Sequence, residues 1–337
     1  LGVLKMIGQE TREVERKITA ILKVLSDSPE PLGGRIIARR LKEQGIDLSE
    51  RTVRYHLKMM DERGLTRPMG YRDGRSITKP GLEELRSALV YDKVGFVTAR
   101  LELLAYLTNF DTSTRTGYIP VDVSLFGKRD FTRALEIMKS VFEAGICASN
   151  LVAVATEGER LGETIVPDGQ IGFATVCSAV VSGSMLKSGI PVDFRFGGIL
   201  QIRNFEPIRF VDFIEYHGST IDPFDIFIAG RMTDAIKAAK SGDGKILASF
   251  QEIPLPSKEE TNAVVGRLKT AGLCNSVTVG KASEPVCEIP VRLNKVGLVL
   301  LSGLNAVAAA AETGIDVTSK AMSGIISIGA LRDFWSL

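Results

Sequence analysis

The 337-residue chain has two histidines, and one of them, His217, stands in YHGSTIDPFD (216–225) beside Ser219 and Asp222. A serine, a histidine and a carboxylate perform acyl transfer when the histidine takes the serine proton and the carboxylate orients the histidine. Such a serine sits on a sharp turn of the form G-x-S-x-G, which is missing here, and His217 and Ser219 are only two residues apart. A hydrolase fused to a second domain is therefore a rival reading only, and the chain is not expected to be an enzyme. The stretch reads as a loop, with Gly218 and the Asp222-Pro223 pair as turn residues. Its Ser219, Thr220 and Asp222 are candidate polar contacts to a bound anion. Nearby, FRFGGILQIR supplies Arg195, Gly197, Gly198 and Arg203. Arginine forks grip carboxylates in bidentate fashion, and glycines let backbone N–H groups approach a ligand. These seven residues form the candidate effector set; an ion pair at a sheet edge accounts for Arg195 equally well.

Metal chemistry finds no support. Cys147, Cys177, Cys274 and Cys287 are spread over half the chain without a C-x-x-C pair or a histidine at ligand spacing. They read as reduced, buried thiols, and no metal or cofactor is expected.

A second chemistry lies near the beginning of the chain. Residues 1–90 hold 18 Lys+Arg against 13 Asp+Glu, a net +5, while the remainder holds 24 against 27, a net −3. An anionic partner should meet the basic part. In SERTVRYHLKMMDERGL (49–65), Ser49 is a good helix N-cap; Val53, Leu57 and Met60 share one side, and Arg51, Tyr55 and Lys58 the opposite one. His56, on the flank of the core side, reads as a packed histidine.

The elements that position this helix are also legible. From Thr11, Val14, Ile18, Ile21, Leu22 and Leu25 follow helical spacing until SDSPEP (26–31). A second helix over about 33–44 is expected to bury Ile36, Ile37 and Leu41 and to show Arg35, Arg39, Arg40 and Lys42, ending at Gly45. After the third helix, LTRPMGYRDGRSITKPG (65–81) reads as two short strands joined at Asp73-Gly74, with Arg72 and Arg75 at the tip. Three helices and a basic hairpin form a winged helix-turn-helix, here over 1–89, for double-stranded DNA. Arg51, Thr52, Arg54, Tyr55 and Lys58 would enter the major groove, and Arg35, Arg39, Arg72 and Arg75 would neutralise phosphates.

Residues 90–337 open with a helical segment carrying Val97, Leu101, Leu104 and Leu107, and then repeat themselves. AGICAS (144–149) recurs as AGLCNS (271–276), 171–192 aligns without gaps on 296–317, and GILQI (198–202) matches GIISI (324–328). Two copies, about 116–205 and 244–331, each read strand, helix, strand, strand, helix, strand. The expected fold is α/β (α+β), an internally duplicated α/β sandwich behind the winged helix, with a ligand between the copies. The apolar run 297–311 is shorter than the roughly 20 residues of a membrane span. With no signal-peptide pattern at the start, the expectation is a cytoplasmic protein without membrane contact.

The winged-helix sequence together with VPDGQIGFATVCS, KSGIPVDFRFGGILQI and YHGSTIDPFDIFIAGRMT resembles the NrpR family of archaeal nitrogen-regulatory repressors. The resemblance covers nearly the whole chain. It implies a homodimeric repressor that binds palindromic operators of nitrogen-assimilation genes and is released by a small dicarboxylate, 2-oxoglutarate, acting allosterically. A winged-helix regulator responding to another small anionic metabolite or an amino acid is the alternative.

Overall fold

The structure, a computed structural model, describes residues 2–70, 74–87 and 95–337. The chain forms two units, Leu1–Val94 and Gly95–Leu337. Among the described residues no helix is long and apolar enough to cross a membrane.

In the first unit α1 (Gly2–Ser26), α2 (Gly34–Glu43) and α3 (Glu50–Glu62) precede β1 (Thr66–Pro68), β2 (Arg75–Ile77) and α4 (Lys79–Ser87). One core joins Ile18, Ile21, Leu22 and Leu25 of α1 to Ile37 and Leu41 of α2 and Val53, Leu57 and Met60 of α3. Ile36, expected in that core, is 39% exposed. One residue of helix turns a side chain by about 100°, so Ile37 and Leu41 take the inner face and leave Ile36 outside. β1 and β2 pair antiparallel, Thr66 opposite Ile77 and Pro68 opposite Arg75, and Arg75 also bridges to Leu32. This hairpin is the expected wing; Arg72 and Asp73 at its tip lie outside the described residues. Residues 78–81 close the stretch expected to form the hairpin, yet a helix, α4, starts at Lys79. The Thr78 hydroxyl accepts the Gly81 amide at 3.1 Å, and Pro80 occupies the first turn, where its missing N–H costs nothing.

The second unit opens with α5 (Phe96–Leu107) and carries the duplication. The first copy contributes β3 (Tyr118–Gly127), α6 (Lys128–Glu143), β4 (Leu151–Thr156), β7 (Gln170–Val176), α7 (Ala179–Lys187) and β8 (Asp193–Arg203); the small hairpin β5 (Arg160–Leu161)–β6 (Thr164–Ile165) interrupts it. An insert follows, with β9 (Glu206–Glu215), α8 (Pro223–Ala229) and α9 (Ala235–Ser241). The second copy supplies β10 (Gly244–Pro254), α10 (Lys258–Thr270), β11 (Val277–Ala282), β12 (Lys295–Leu301), α11 (Asn305–Glu312), β13 (Val317–Lys320) and β14 (Ile325–Ser327), and β15 (Arg332–Asp333) follows. The β-α-β-β-α-β order expected of each copy is present.

The last strand of each copy leaves its own sheet. β8 pairs with β10, so that one sheet runs β11-β12-β10-β8-β9. β13 and β14 pair with β3, so that the other runs β13-β3-β7-β4-β15. The helices cross in the same way, α11 packing on α6 and α10 on α7. α11 is buried along its length because five of its eight residues are alanine. Its Asn305 accepts the Leu247 amide at 2.7 Å and donates to the carbonyls of Ile146 at 2.8 Å and Leu247 at 3.0 Å, which satisfies the buried side chain. The repeated AGICAS and AGLCNS segments touch each other: Ser149 Oγ donates to the Gly272 carbonyl at 2.5 Å, and the Asn275 amide to the Ala148 carbonyl at 2.7 Å. Gly145 and Gly272, φ 67° and 76°, end α6 and α10 in the left-handed conformation that glycine tolerates. Burial pushes the Cys147 thiol up to about 12 and the Cys274 thiol up to about 11, as suits packing thiols.

Candidate functional site

In the first unit the Ser49 hydroxyl accepts the Thr52 amide at 3.1 Å and fixes the start of α3, a cap of about 1 kcal/mol. That start sets the rotation of the helix. Val53, His56, Leu57 and Met60 face inward, while Arg51, Arg54, Tyr55 and Lys58 face outward, Tyr55 at 63% exposure. His56 packs, as expected: burial first and Lys17 second lower its pKa from the ordinary imidazole value. The Tyr55 ring stands edge-on to it, centroids 5.5 Å apart.

The remaining candidates on this face divide. Arg35 is exposed on α2; Arg39 is exposed and 3.8 Å from Glu43, and Arg54 is 2.6 Å from Glu50. Exposed i,i+4 pairs contribute only a few tenths of a kcal/mol, so a phosphate or base can displace them. Thr52 spends its hydroxyl on Ser49 at 2.8 Å and serves the cap. Arg75, expected at the phosphates, is instead held inward: its Nε donates to Asp61 Oδ2 at 2.6 Å, while Thr66 donates to Asp61 Oδ1 at 2.6 Å. It ties the wing to α3. Arg67, exposed on β1, is a wing cation that the sequence reading passed over.

The seven effector candidates of the second unit do not form one site. Arg195 and Arg203 are both on β8, eight residues or roughly 26 Å apart at about 3.3 Å per residue. Arg195 Nη1 lies 3.1 Å from Glu252, a fully buried carboxylate that also accepts Arg292 Nε at 2.5 Å. The contact to Arg195 is an off-line ion pair, since Nη1 has no well-aligned acceptor. The ion-pair reading thus accounts for Arg195, and Arg292, unnoticed in the sequence, stands beside it. Gly197 and Gly198 serve packing: a Cβ on Gly197 would meet Pro223, Tyr216 and Phe224 at 3.0–3.2 Å, and one on Gly198 the Asp212 carbonyl at 2.8 Å. Ser219 donates its hydroxyl to the Glu215 carbonyl, and Asp222 caps α8 by accepting the Phe224 amide at 2.8 Å. With His217 exposed and both would-be partners committed elsewhere, no acyl-transfer set exists in this loop. Thr220 is half-buried and has no hydrogen bond in the structure. The space expected between the copies is a cavity of about 10 Å³ lined by Ser178, Val181, Leu273 and Cys274, room for about one water.

Asp122, Asp222 and Asp225 form a buried acidic group that the sequence did not announce. Asp122 accepts the Met322 amide at 2.8 Å and Asp225 the Ala321 amide at 3.0 Å, which fastens the turn after β13 onto β3 and α8. Burial pushes Asp122 up to about 6, and burial and neighbouring carboxylates raise Asp222 and Asp225. Among the described residues no such group is arranged to hold a metal ion.

The comparisons with known proteins meet this architecture. A family model of the NrpR regulatory domains NRD1 and 2 matches residues 94–333. The chain belongs to the NrpR family. A Ribonuclease R winged-helix domain model matches residues 19–85. The chain is 38% identical to the Global nitrogen regulator NrpRI of Methanosarcina mazei, covering 95% of this chain and 98% of that one. It is 30% identical to the Global nitrogen regulator NrpR of Methanococcus maripaludis and 31% to that of Methanocaldococcus jannaschii, over 93% and 95% of its own length. It spans about half of those two, 54% and 55%. The crystal structure of a nitrogen repressor-like protein from Methanococcus jannaschii superposes with a TM-score of 0.60 at 22% identity, covering 71% of this chain and 98% of that one, which shows the shared fold. NrpR proteins are nitrogen regulators, and the chain stands among transcription regulators and not among enzymes.

Proposed function

We propose that this chain is a DNA-binding repressor of nitrogen-assimilation genes that acts as a homodimer and is released from its operator by 2-oxoglutarate. The observation that carries this reading is the outward face of α3, where Arg51, Arg54, Tyr55 and Lys58 stand exposed on a helix whose other face is packed into the core. A two-fold dimer would set two such helices against major grooves about one helical turn, roughly 34 Å, apart, which matches a palindromic operator. Arg35, Arg39 and Arg67 would neutralise phosphates. The dicarboxylate is assigned to the second unit at Arg195 and Arg292, whose guanidiniums keep N–H groups beyond those given to Glu252 and, by Arg292, to Asp193. It must bind the DNA-released state more tightly than the bound one, since equal affinity would shift nothing.

Fluorescence anisotropy with a duplex from a nitrogen-assimilation promoter, titrated with and without 2-oxoglutarate, tests this. The expected result is specific binding that 2-oxoglutarate weakens and that Arg195→Ala renders insensitive to it. Equal affinity for promoter and scrambled duplex would end the DNA reading. Specific binding that 2-oxoglutarate leaves unchanged would end the effector reading alone.

A further inference from the structure

At one end of β8 and β10, Arg203, Lys237 and Lys245 share with Asp234, Asp243 and Gln201 the lining of an open cavity of about 260 Å³. Its walls are fixed by the turn from β8 into β9. Asn204 and Phe205 are both left-handed, φ 50° and 63°, as a two-residue hairpin turn requires. Asp243 accepts the Asn204 amide at 2.8 Å, and Phe205 donates its amide to the Gly242 carbonyl at 2.9 Å. The Phe205 ring lies where a Cβ on Gly242 would stand, 2.8 Å away. These contacts clamp the loop before β10 beside the end of β8 and keep Arg203 next to Asp243. The nearby N-terminus of α9 is already taken, because the Glu312 carboxylate accepts the Ala235 amide at 2.6 Å and the Ile236 amide at 3.2 Å.

The opposite charges around this cavity do not consume each other. Lys245 Nζ reaches Asp234 Oδ2 only at 4.0 Å, and among the described residues Arg203 and Lys237 make no ion pair. A plain dicarboxylate would place a second negative charge against Asp234 or Asp243, and a polyamine would meet three cations. A molecule that carries both signs within a few ångströms suits both walls. We propose that this cavity binds an α-amino acid with a polar side chain of the glutamate or glutamine class. Its α-carboxylate takes the Arg203 fork, its ammonium group takes Asp243 and Asp234, and its side-chain oxygens take Lys237 or Lys245. A volume of about 260 Å³, just below the roughly 300–1,000 Å³ of drug-sized ligand pockets, fits a ligand this small. The site is far along β8 from Arg195, so it adds an input and does not compete with the dicarboxylate.

Calorimetry on the full chain with L-glutamate, L-glutamine and 2-oxoglutarate tests the proposal, because 2-oxoglutarate is glutamate with a keto oxygen in place of the ammonium group. Both amino acids, or one of them, should bind, and Arg203→Ala and Asp243→Asn should each weaken that binding by about tenfold or more. Asp243→Asn should leave 2-oxoglutarate binding unchanged. Because Asp243 also clamps Asn204, Lys237→Met serves as a third variant, and unchanged thermal midpoints establish that the variants fold. Three results overturn the proposal: no heat with either amino acid at millimolar concentration, amino-acid affinity that survives Arg203→Ala, or 2-oxoglutarate binding that Arg203→Ala abolishes and Asp243→Asn strengthens. None of these readings uses DNA, so its failure is separate from failure of the repressor reading.

Discussion

Asp61, in the last turn of α3, holds the Nε of Arg75 on β2 at 2.6 Å, and this contact ties the wing to the helix. Arg75 and Arg51 are both basic residues of the winged helix, but they should fail in different ways when removed. Arg75→Ala leaves Asp61 half-buried with only Thr66 and should lower the stability of the first unit by about 1–3 kcal/mol. Arg51→Ala should leave the thermal midpoint alone and weaken promoter binding about 10- to 100-fold with relaxed sequence preference. Calorimetric unfolding and anisotropy on both variants read the contrast, and a stability loss in Arg51→Ala would contradict it.

Salt dependence separates phosphate contacts from base contacts. Arg35→Ala should weaken binding to specific and scrambled duplexes alike, and the slope of log affinity against log salt should become shallower by about 0.9. An unchanged slope would remove Arg35 from the phosphate set.

Asn305 joins the two copies through its 2.8 Å bond to the Ile146 carbonyl of the first, while its bonds to the Leu247 amide and carbonyl, 2.7 and 3.0 Å, tie it to β10 of its own copy. Replacement by alanine strands the Leu247 amide and the Ile146 carbonyl away from water. Asn305→Ala should therefore cost about 2–4 kcal/mol in urea unfolding of the second unit. A midpoint like that of the unaltered protein would mean that the junction draws little from this side chain.

The buried aspartates give a signed pH dependence. Asp122 ordinarily titrates near 3.8 and is pushed up to about 6 by burial, against the opposing hydrogen bonds from Met322 and Cys177. A raised carboxylate holds its proton more tightly folded than unfolded. Its contribution is thus full below pH 3.8 and disappears as pH climbs through about 6. The thermal midpoint should fall between pH 5 and pH 7.5, and Asp122→Asn should flatten part of that fall. Asp222 and Asp225, raised in the same direction, leave a remainder. A wild-type midpoint that rises over this range contradicts the assignment.

Residue type and spacing were enough to read the winged helix as far as α3, because Ser49 fixes where the helix starts and the start fixes which side chains face out. They missed α4, which Thr78 caps inside the stretch expected to be all hairpin. The duplication was legible from three matching blocks, but the exchange of strands was not. β8 and β13 are antiparallel strands with no chemical label for the sheet they join. Pairings across long separations were equally silent: nothing local assigns Arg195 to Glu252 or Arg75 to Asp61. Asp122, a charged step in a mostly apolar strand, carries no local sign of the turn after β13 that supplies its hydrogen bond.

The exchanged strands lock the two copies of the second unit together, one in each sheet. β3, its first strand, lies beside β13 and β14, and β8, the last strand of the first copy, lies beside β10. Neither copy holds a complete sheet, so separate halves would each present an open edge with nothing to cover it. Assembly must wait until residues some 200 positions apart have met, which makes for slow folding from distant contacts. A permuted chain opened at the Asn204–Phe205 turn and rejoined between the last strands and β3 would keep every strand neighbour it has now.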